Sequence, residues 1–393
     1  MFNLGIFNTQ PPHLYFGGVE RRIMELSKRL SKKINVTVYC GSKAGFRKAC
    51  NFQNVKIVPL FSTDLFFPLD NCFFNWSIFR TFDRFKLDVY EVHTVSGYGL
   101  LKALKKRGVA KPLIQVVHGV LADEYAQTVK GIHPTLRSKV SRALMRYMSK
   151  LEMELAQAAT LVVTVSNYSL ERVVELYGVD LTKIRVVPNG VDPNVFKPIE
   201  VADAFRKRLG IKDKHCVLFV GSLVPRKGVH FLVEAAKHVV KYEKDVVFLV
   251  VGDGPLLNFL TSYSAKLGIR RNFLFIRKVS DRILPIIYNC ADVFVLPSLQ
   301  EGQGIALLEA QACAKPVVAF NMGGVRECVK HGETGFLVEP NSFTLSEAIL
   351  SLIRDKLMRT SMGNSGRKFV CENFSWDIFA ERMFEVYLEA LEF

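Results

Sequence analysis

Short runs of Val, Ile, Leu and Phe alternate along the chain with longer stretches in which apolar residues recur every three or four positions. Continuous apolar runs suit strands buried on both faces, and the helical spacing between them predicts crossover helices. The first half holds seven such runs, at 4–7, 36–40, 55–60, 89–93, 113–119, 161–166 and 184–190. The second repeats the scheme with six, at 216–221, 246–252, 273–276, 292–298, 316–320 and 335–340. Each half therefore reads as a doubly wound, Rossmann-like α/β domain. "PNGVDPNVFKP" (188–198) is the natural linker, which gives domains over 1–192 and 193–370. The amphipathic "SWDIFAERMFEVYLEAL" (375–391) predicts a helix within 371–393 that packs back toward the first domain. Several strands end in Gly, Ser or His, as in "HG" at 118 and "VGS" at 220. Ligands sit outside the carboxyl ends of strands in such sheets, so two facing domains would enclose a cleft there.

Composition narrows the class. With 393 residues, 49% of them hydrophobic, the chain can bury two sizeable cores. The longest apolar runs, "VVFLVV" and "TLVVTV", fall short of the roughly 20 residues needed to cross a bilayer. "MFNLGIFNTQPPH" has no basic segment ahead of its apolar residues, so no signal peptide is expected and the location is expected to be cytoplasmic. The eight cysteines are scattered without a Cys-x-x-Cys pair, which predicts reduced thiols and no structural metal. The net charge of +16 is concentrated in residues 1–190, which hold 27 Lys and Arg against 14 Asp and Glu. Such a bias fits nucleic acid, an anionic membrane surface or a phosphorylated ligand.

Candidate chemistry lies at the strand ends. Gly17 and Gly18 precede a helical segment whose first amides could receive a phosphate, although an ordinary glycine turn would look the same. "VGSLVPRKG" (220–228) follows a strand and carries Arg226 and Lys227, where a Walker A motif would have a glycine before the lysine. "VGDGPLL" (251–257) lacks the third glycine of a dinucleotide fingerprint. A P-loop enzyme and a nicotinamide dehydrogenase are thereby disfavoured, while adjacent Arg and Lys still suit a diphosphate. "EGQGIALLE" (301–309) places Glu301 in a loop and Glu309 in a helix that starts near the amides of Gln303, Gly304 and Ile305. One acid could take sugar hydroxyls and the other a ribose diol; by spacing alone, two glutamates with unrelated roles would look the same.

"EGQGIALLE" matches an E-x7-E signature. Together with "GGVERR", "VHG", "VSNYS", "VVPNGVD", "VGSLVPRKG", "VGDGP", "ADVFVLPS", "KPVVAFNMGGVRECV" and "GETGFLVEP", in that family's order from about 17 to 340, the chain closely resembles family 4 glycosyltransferases. The resemblance implies a GT-B fold, with the acceptor on the first domain and a nucleotide-diphosphate sugar, UDP- or GDP-linked, on the second. It also implies retention of anomeric configuration without a metal or other cofactor. By the same resemblance Arg226 and Lys227 hold the diphosphate, Gly18 approaches it, Glu301 contacts the donor sugar, Glu309 the ribose, and His118 the reacting sugar. Gly221, Gly252, Lys278, Gln303, Gly304 and Ile305 complete the nucleotide-sugar set. Three positions depart from the pattern: Gln303 replaces an aromatic, Arg277 a glycine near the base, and Ala314 a glycine, the last expected to affect only packing.

Residues 60–86 hold nine aromatics: Phe61, Phe66, Phe67, Phe73, Phe74, Trp76, Phe79, Phe82 and Phe85. The stretch 133–157 reads as a long helix with Arg137, Lys139, Arg142, Arg146 and Lys150 beside Leu136, Val140, Leu144, Tyr147 and Leu151. Basic amphipathic helices with aromatic neighbours lie on anionic bilayers, so a lipid-linked acceptor and peripheral docking on the cytoplasmic membrane face are expected; aromatics filling the core would give the same pattern. A catalytically silent GT-B scaffold or partner subunit is the alternative to an enzyme. Nucleic acid is not expected as a partner, since no recognised binding module appears.

Overall fold

The computed structural model describes the backbone of residues 1–393 except positions 16, 65–68, 130–135 and 201, and the side chains of the rest except 127–129, 136–142 and 202. The chain divides into two units, Met1–Asn189 together with Trp376–Phe393, and Gly190–Ser375.

Among the described residues, the first unit has an eight-stranded sheet of β1 (Asn3–Asn8), β2 (Asn35–Gly41), β3 (Cys50–Phe52), β4 (Val55–Leu60), β5 (Val89–His93), β6 (Leu113–Val117), β7 (Leu161–Thr164) and β8 (Ile184–Val186). Their order is β3-β4-β2-β1-β5-β6-β7-β8. All neighbours run parallel except the β3–β4 hairpin. The second unit has a six-stranded parallel sheet of β9 (His215–Val220), β10 (Val246–Val251), β11 (Phe273–Ile276), β12 (Val293–Leu296), β13 (Val317–Phe320) and β14 (Gly335–Val338), ordered β11-β10-β9-β12-β13-β14. Every run expected to be a strand is one. The central strands are buried along their whole length, as continuous apolar runs require.

β3 escaped the sequence pattern because it is three residues long and its turn uses Gln53 and Asn54, both left-handed at φ 50° and 65°, in place of the Asn-Gly that marks such hairpins. Ala314 also corrects the reading above. It sits at φ 55°, so a glycine there answers a left-handed backbone rather than packing, and alanine costs about 1–2 kcal/mol.

The direction of winding reverses between β1 and β5 in the first sheet and between β9 and β12 in the second. Loops leaving the carboxyl ends of the two strands on either side of such a point diverge and leave a crevice. The helix Trp376–Leu391 buries Trp376, Phe379, Ala380, Met383, Val386, Tyr387 and Ala390, a stripe at helical spacing, against the helix Gly18–Leu30 and β5.

The helix Leu69–Thr81 is inverted. Its buried face carries Asp70, Asn71 and Ser77 beside Phe74 and Ile78, while Leu69, Phe73 and Trp76 are exposed by 41, 40 and 55%. The inward polar groups are matched: Asp70 pairs with Lys43, Asn71 Nδ2 donates to Thr9 Oγ1 at 2.8 Å, and Ser77 Oγ accepts from the Phe61 amide at 3.1 Å. On the outside, Phe61 meets Phe73 and Trp76 edge-on, with centroids 5.9 and 6.2 Å apart. Phe66 and Phe67 lie outside the described residues, as do the side chains of Leu136, Arg137, Lys139, Val140 and Arg142. Arg146, Tyr147 and Lys150 of the helix Leu136–Ala158 are exposed.

Candidate active site

The switch point of the second sheet brings together residues 74 positions apart. After β9 the chain forms a single 3-10 turn, Pro225–Lys227, closed by Gly228 at φ 61°. A Cβ on Gly228 would stand 1.9 Å from the Pro297 carbonyl oxygen at the end of β12, so only glycine lets the two loops touch. Leu299 then donates its amide to the Arg226 carbonyl at 2.8 Å. This zippering sets Lys227 Nζ 2.5 Å and Arg226 Nη1 3.9 Å from Glu301 Oε2. Burial alone would raise the Glu301 carboxyl, but the Lys227 and Arg226 charges outweigh it and hold the group below its ordinary value. Arg226 remains about a third exposed while Lys227 and Glu301 are nearly covered. Behind them the Gly324 amide fixes the Glu301 carbonyl at 3.0 Å.

The helix Ile305–Ala312 starts at Gly304, φ 101°, whose carbonyl takes the Leu307 amide at 2.9 Å. Its N-terminus therefore lies three residues past Glu301 and points first-turn amides toward the same end of the sheet. Glu309 is buried, and Tyr288 donates its hydroxyl to Glu309 Oε2 at 2.6 Å. Gln303 is buried too, with its carbonyl accepting from Cys328 Sγ at 3.3 Å. Gly221 and Gly252 sit back to back: a Cβ on Gly252 would lie 1.9 Å from the Gly221 oxygen. Lys278 is exposed beyond β11, beside Arg277, which lies 3.5 Å from Asp253. Arg226, Lys227 and Glu301 are thus in contact, whereas Lys278 stands off toward the sheet edge.

In the first unit, His118 follows β6 and is half-buried. Its Nε2 lies 2.8 Å from His93 Nδ1, with the two rings nearly parallel at 12°. His93 Nε2 in turn lies 2.9 Å from Glu91 Oε1, off the line of the ring N–H. The Tyr387 hydroxyl donates to Glu91 Oε2. Arg22, fully buried, donates to Asn189 Oδ1 at 2.9 Å and lies 4.4 Å over the Phe379 ring. Burial, then His93 and Arg22, pull His118 well below the ordinary imidazole value. Gly18 opens the helix Gly18–Leu30 behind the N-cap Gly17, and Glu20 stands in its first turn. Burial raises the Glu20 carboxyl, its own amide and Asn8 opposing.

Sequence reasoning passed over Glu91, His93, Tyr288 and Tyr387. "VYEVH" did carry a signal, since Glu and His two apart in an otherwise apolar strand share one face. Tyr288, in "LPIIYNC", carried none. Among the described residues no cluster of three or more His, Cys, Asp or Glu could hold a metal ion, and no helix is long and apolar enough to cross a membrane.

Two Rossmann-like sheets, each doubly wound about its own switch point, are the architecture of the GT-B glycosyltransferase fold. Sucrose-phosphate synthase from Thermosynechococcus elongatus superposes with a TM-score of 0.85 over 99% of both chains at 18% identity. The "Glycosyltransferase Family 4" model matches residues 16–195 and the "Glycosyl transferases group 1" model residues 201–369. The Escherichia coli UDP-Gal:alpha-D-GlcNAc-diphosphoundecaprenol alpha-1,3-galactosyltransferase is 32% identical over 300 residues, 75% of this chain and 73% of that protein. The GDP-mannose-dependent alpha-(1-6)-phosphatidylinositol monomannoside mannosyltransferase of Mycolicibacterium smegmatis is 33% identical over 237 residues, 58% of this chain and 62% of that one. The chain belongs to the group 1, family 4 glycosyltransferases.

Proposed function

We propose that the protein is a retaining, metal-independent hexosyltransferase that moves a sugar from a UDP- or GDP-sugar to a lipid-linked or other glycoconjugate hydroxyl. The observation that carries the reading is the Arg226–Lys227–Glu301 cluster at the switch point of the second sheet. When the bond from the sugar C1 to the diphosphate breaks, the electron pair stays on the phosphate oxygen. Fixed cations and first-turn amides aimed at that oxygen stabilise the growing charge without reorganising. Arg226 and Lys227, with the amides from Gln303 to Ile305, are given that role. The acceptor oxygen bonds to C1 from the face the diphosphate leaves, and its proton passes to the departing phosphate. Glu301, its charge already spent on Lys227 at 2.5 Å, is a poor nucleophile and is assigned to the sugar hydroxyls. Glu309, oriented by Tyr288, takes the ribose; Gly221, Gly252 and Lys278 bound the nucleotide; His118 contacts the sugar and Gly18 the diphosphate.

The lipid-linked acceptor is supported by the names of the two relatives and by the inverted helix Leu69–Thr81. Its outward Phe73 and Trp76, joined by Phe61, are flanked by Arg80, which lies 5.7 Å over the Trp76 ring, and the helix Tyr98–Arg107 packed against it carries exposed Lys102, Lys105 and Lys106. Exposed aromatics with basic residues nearby suit the headgroup layer of an anionic bilayer, where each basic residue contributes about 1 kcal/mol. The test is incubation of the purified protein with UDP-, GDP- and ADP-sugars, with and without polyprenyl-diphosphate acceptors, followed by NMR of the product linkage. Slow release of UDP or GDP, accelerated by acceptor and giving the donor's own anomer, is expected; an inverted linkage, or no release from any donor, overturns the reading.

A further inference from the structure

The role given to His118 leaves open which of its nitrogens bears the proton, and the residues packed behind it decide that. We propose that His93 is a positioning residue: it fixes His118 as the Nε2–H tautomer, so that His118 Nδ1 meets substrate as a hydrogen-bond acceptor.

β5 places Glu91 and His93 on one face, and both are fully buried. A buried carboxylate with one imidazole against it and a second imidazole beyond is an expensive way to fill a core, since apolar side chains of the same volume pack as well without the desolvation cost. A polar chain of this kind is worth keeping for what stands at its open end, and the open end here is half-buried His118.

The proton count follows from the neighbours. Tyr387, on the helix Trp376–Leu391, donates its hydroxyl to Glu91. Arg22 and Glu20, on the helix Gly18–Leu30, are the other charged groups acting on the Glu91–His93–His118 chain. Burial would push the Glu91 carboxyl up, but its neighbours, the Arg22 guanidinium and the Tyr387 hydroxyl among them, outweigh it and hold the group below its ordinary value. His93 Nε2 lies 2.9 Å from Glu91 Oε1 without the alignment of a hydrogen bond, and at that separation a hydrogen on the nitrogen is attracted to the carboxylate where a bare lone pair would be repelled. In a neutral ring that leaves His93 Nδ1 as an acceptor. The single proton in the 2.8 Å contact between the rings then belongs to His118 Nε2. His118, held neutral by burial, keeps a bare Nδ1 that can accept from a sugar hydroxyl.

The substrate end of this inference rests on the contact proposed above for His118, whereas the tautomer does not. NMR of the full-length protein labelled with 15N-histidine, with signals assigned by loss in His118→Ala and His93→Asn, reads the protonated nitrogen of each ring directly. At neutral pH, His118 is expected protonated at Nε2 only. His93→Asn sets an amide oxygen near the former Nδ1 position, so it should keep the tautomer and most of the turnover. His93→Leu should mix the tautomers and lower kcat roughly tenfold, the equivalent of one hydrogen bond in the transition state. If His93→Leu does not fold, Glu91→Gln serves in its place and should shift His118 toward the Nδ1–H form. A His118 ring protonated at Nδ1 in the wild type, or a tautomer indifferent to both substitutions, overturns the proposal. The expected tautomers in a protein that transfers no sugar would overturn the proposed function and leave the positioning role standing.

Discussion

Lys227 Nζ lies 2.5 Å from Glu301 Oε2, and each is the other's main electrostatic partner. Replacing the lysine with Met leaves a nearly covered carboxylate with only Arg226, at 3.9 Å, to oppose its burial. Removing one partner of such a pair costs about 3 kcal/mol when the site is fully buried, and less here. The wild-type Glu301 carboxyl is held below its unfolded value, so its contribution to stability is present above the ordinary carboxylate range and is lost as pH falls through the folded-state value. Lys227→Met moves that value upward and shrinks the increment. Urea denaturation between pH 4 and 7 should show the variant losing less stability on acidification than the wild type, while transfer falls at least a hundredfold.

Tyr288→Phe removes the 2.6 Å hydrogen bond to Glu309 and leaves the helix otherwise intact. A hydrogen bond to a carboxylate is worth about 1.5–3 kcal/mol. Calorimetric titration with UDP and GDP should show the better-bound nucleotide weakened roughly tenfold, with kcat changing less than donor KM.

Gly228→Ala combines a left-handed φ of 61° with a Cβ 1.9 Å from the Pro297 oxygen. It should destabilise the second unit by more than about 1 kcal/mol. By pushing the Pro225–Lys227 turn off the end of β12, it should also lower activity beyond what the melting shift explains. Alanine at Gly268, where nothing lies within 4 Å, is the control: strained backbone, unperturbed site.

Glu152 binds the Leu121 amide at 2.9 Å and the Tyr177 hydroxyl at 2.5 Å. Burial pushes its carboxyl up to about 8, with Tyr177 and Leu121 pulling the other way. A folded-state value above the unfolded one gives stability that is complete below the ordinary carboxylate range and drains away as pH rises toward 8. Denaturation at pH 6 and 8.5 should show the loss in the wild type and a flatter dependence in Glu152→Gln.

Phe73→Ser with Trp76→Ser should abolish co-sedimentation with anionic liposomes at low salt, leave turnover of a soluble acceptor unchanged, and keep the wild-type melting temperature, since both side chains are already exposed. Binding by the double variant equal to the wild type would sink the docking surface.

What could be read from the chain was whatever is written at short range. The sheets were legible because strands such as "VVFLVV" are buried on both faces, and the Arg226–Lys227 and Glu301–Glu309 motifs were legible because each is contiguous. That Lys227 clasps Glu301 was not, since it depends on the order of winding around β9 and β12. The inverted helix Leu69–Thr81 hid for a related reason. Its aromatics were counted, but which of them face outward follows from Asp70, Asn71 and Ser77 finding partners on three other segments. Tyr387 reaches Glu91 across 296 positions, and no local pattern announces such a pair.

The helix Trp376–Leu391 also fixes an order of events during synthesis. Gly190–Ser375 is one unbroken stretch and can close its hydrophobic cluster as soon as it clears the ribosome. The cluster beneath the first sheet also needs Trp376, Phe379, Met383, Val386 and Tyr387, each contributing roughly 1.5–3 kcal/mol on burial. The usual sequence, in which the amino-terminal part of a protein matures first, is inverted: the half translated earliest waits, its apolar underside uncovered, for the residues translated after 375. During that wait a nascent-chain chaperone has most to protect, and a stop codon near 375 would release a finished second unit tied to an unfinished first.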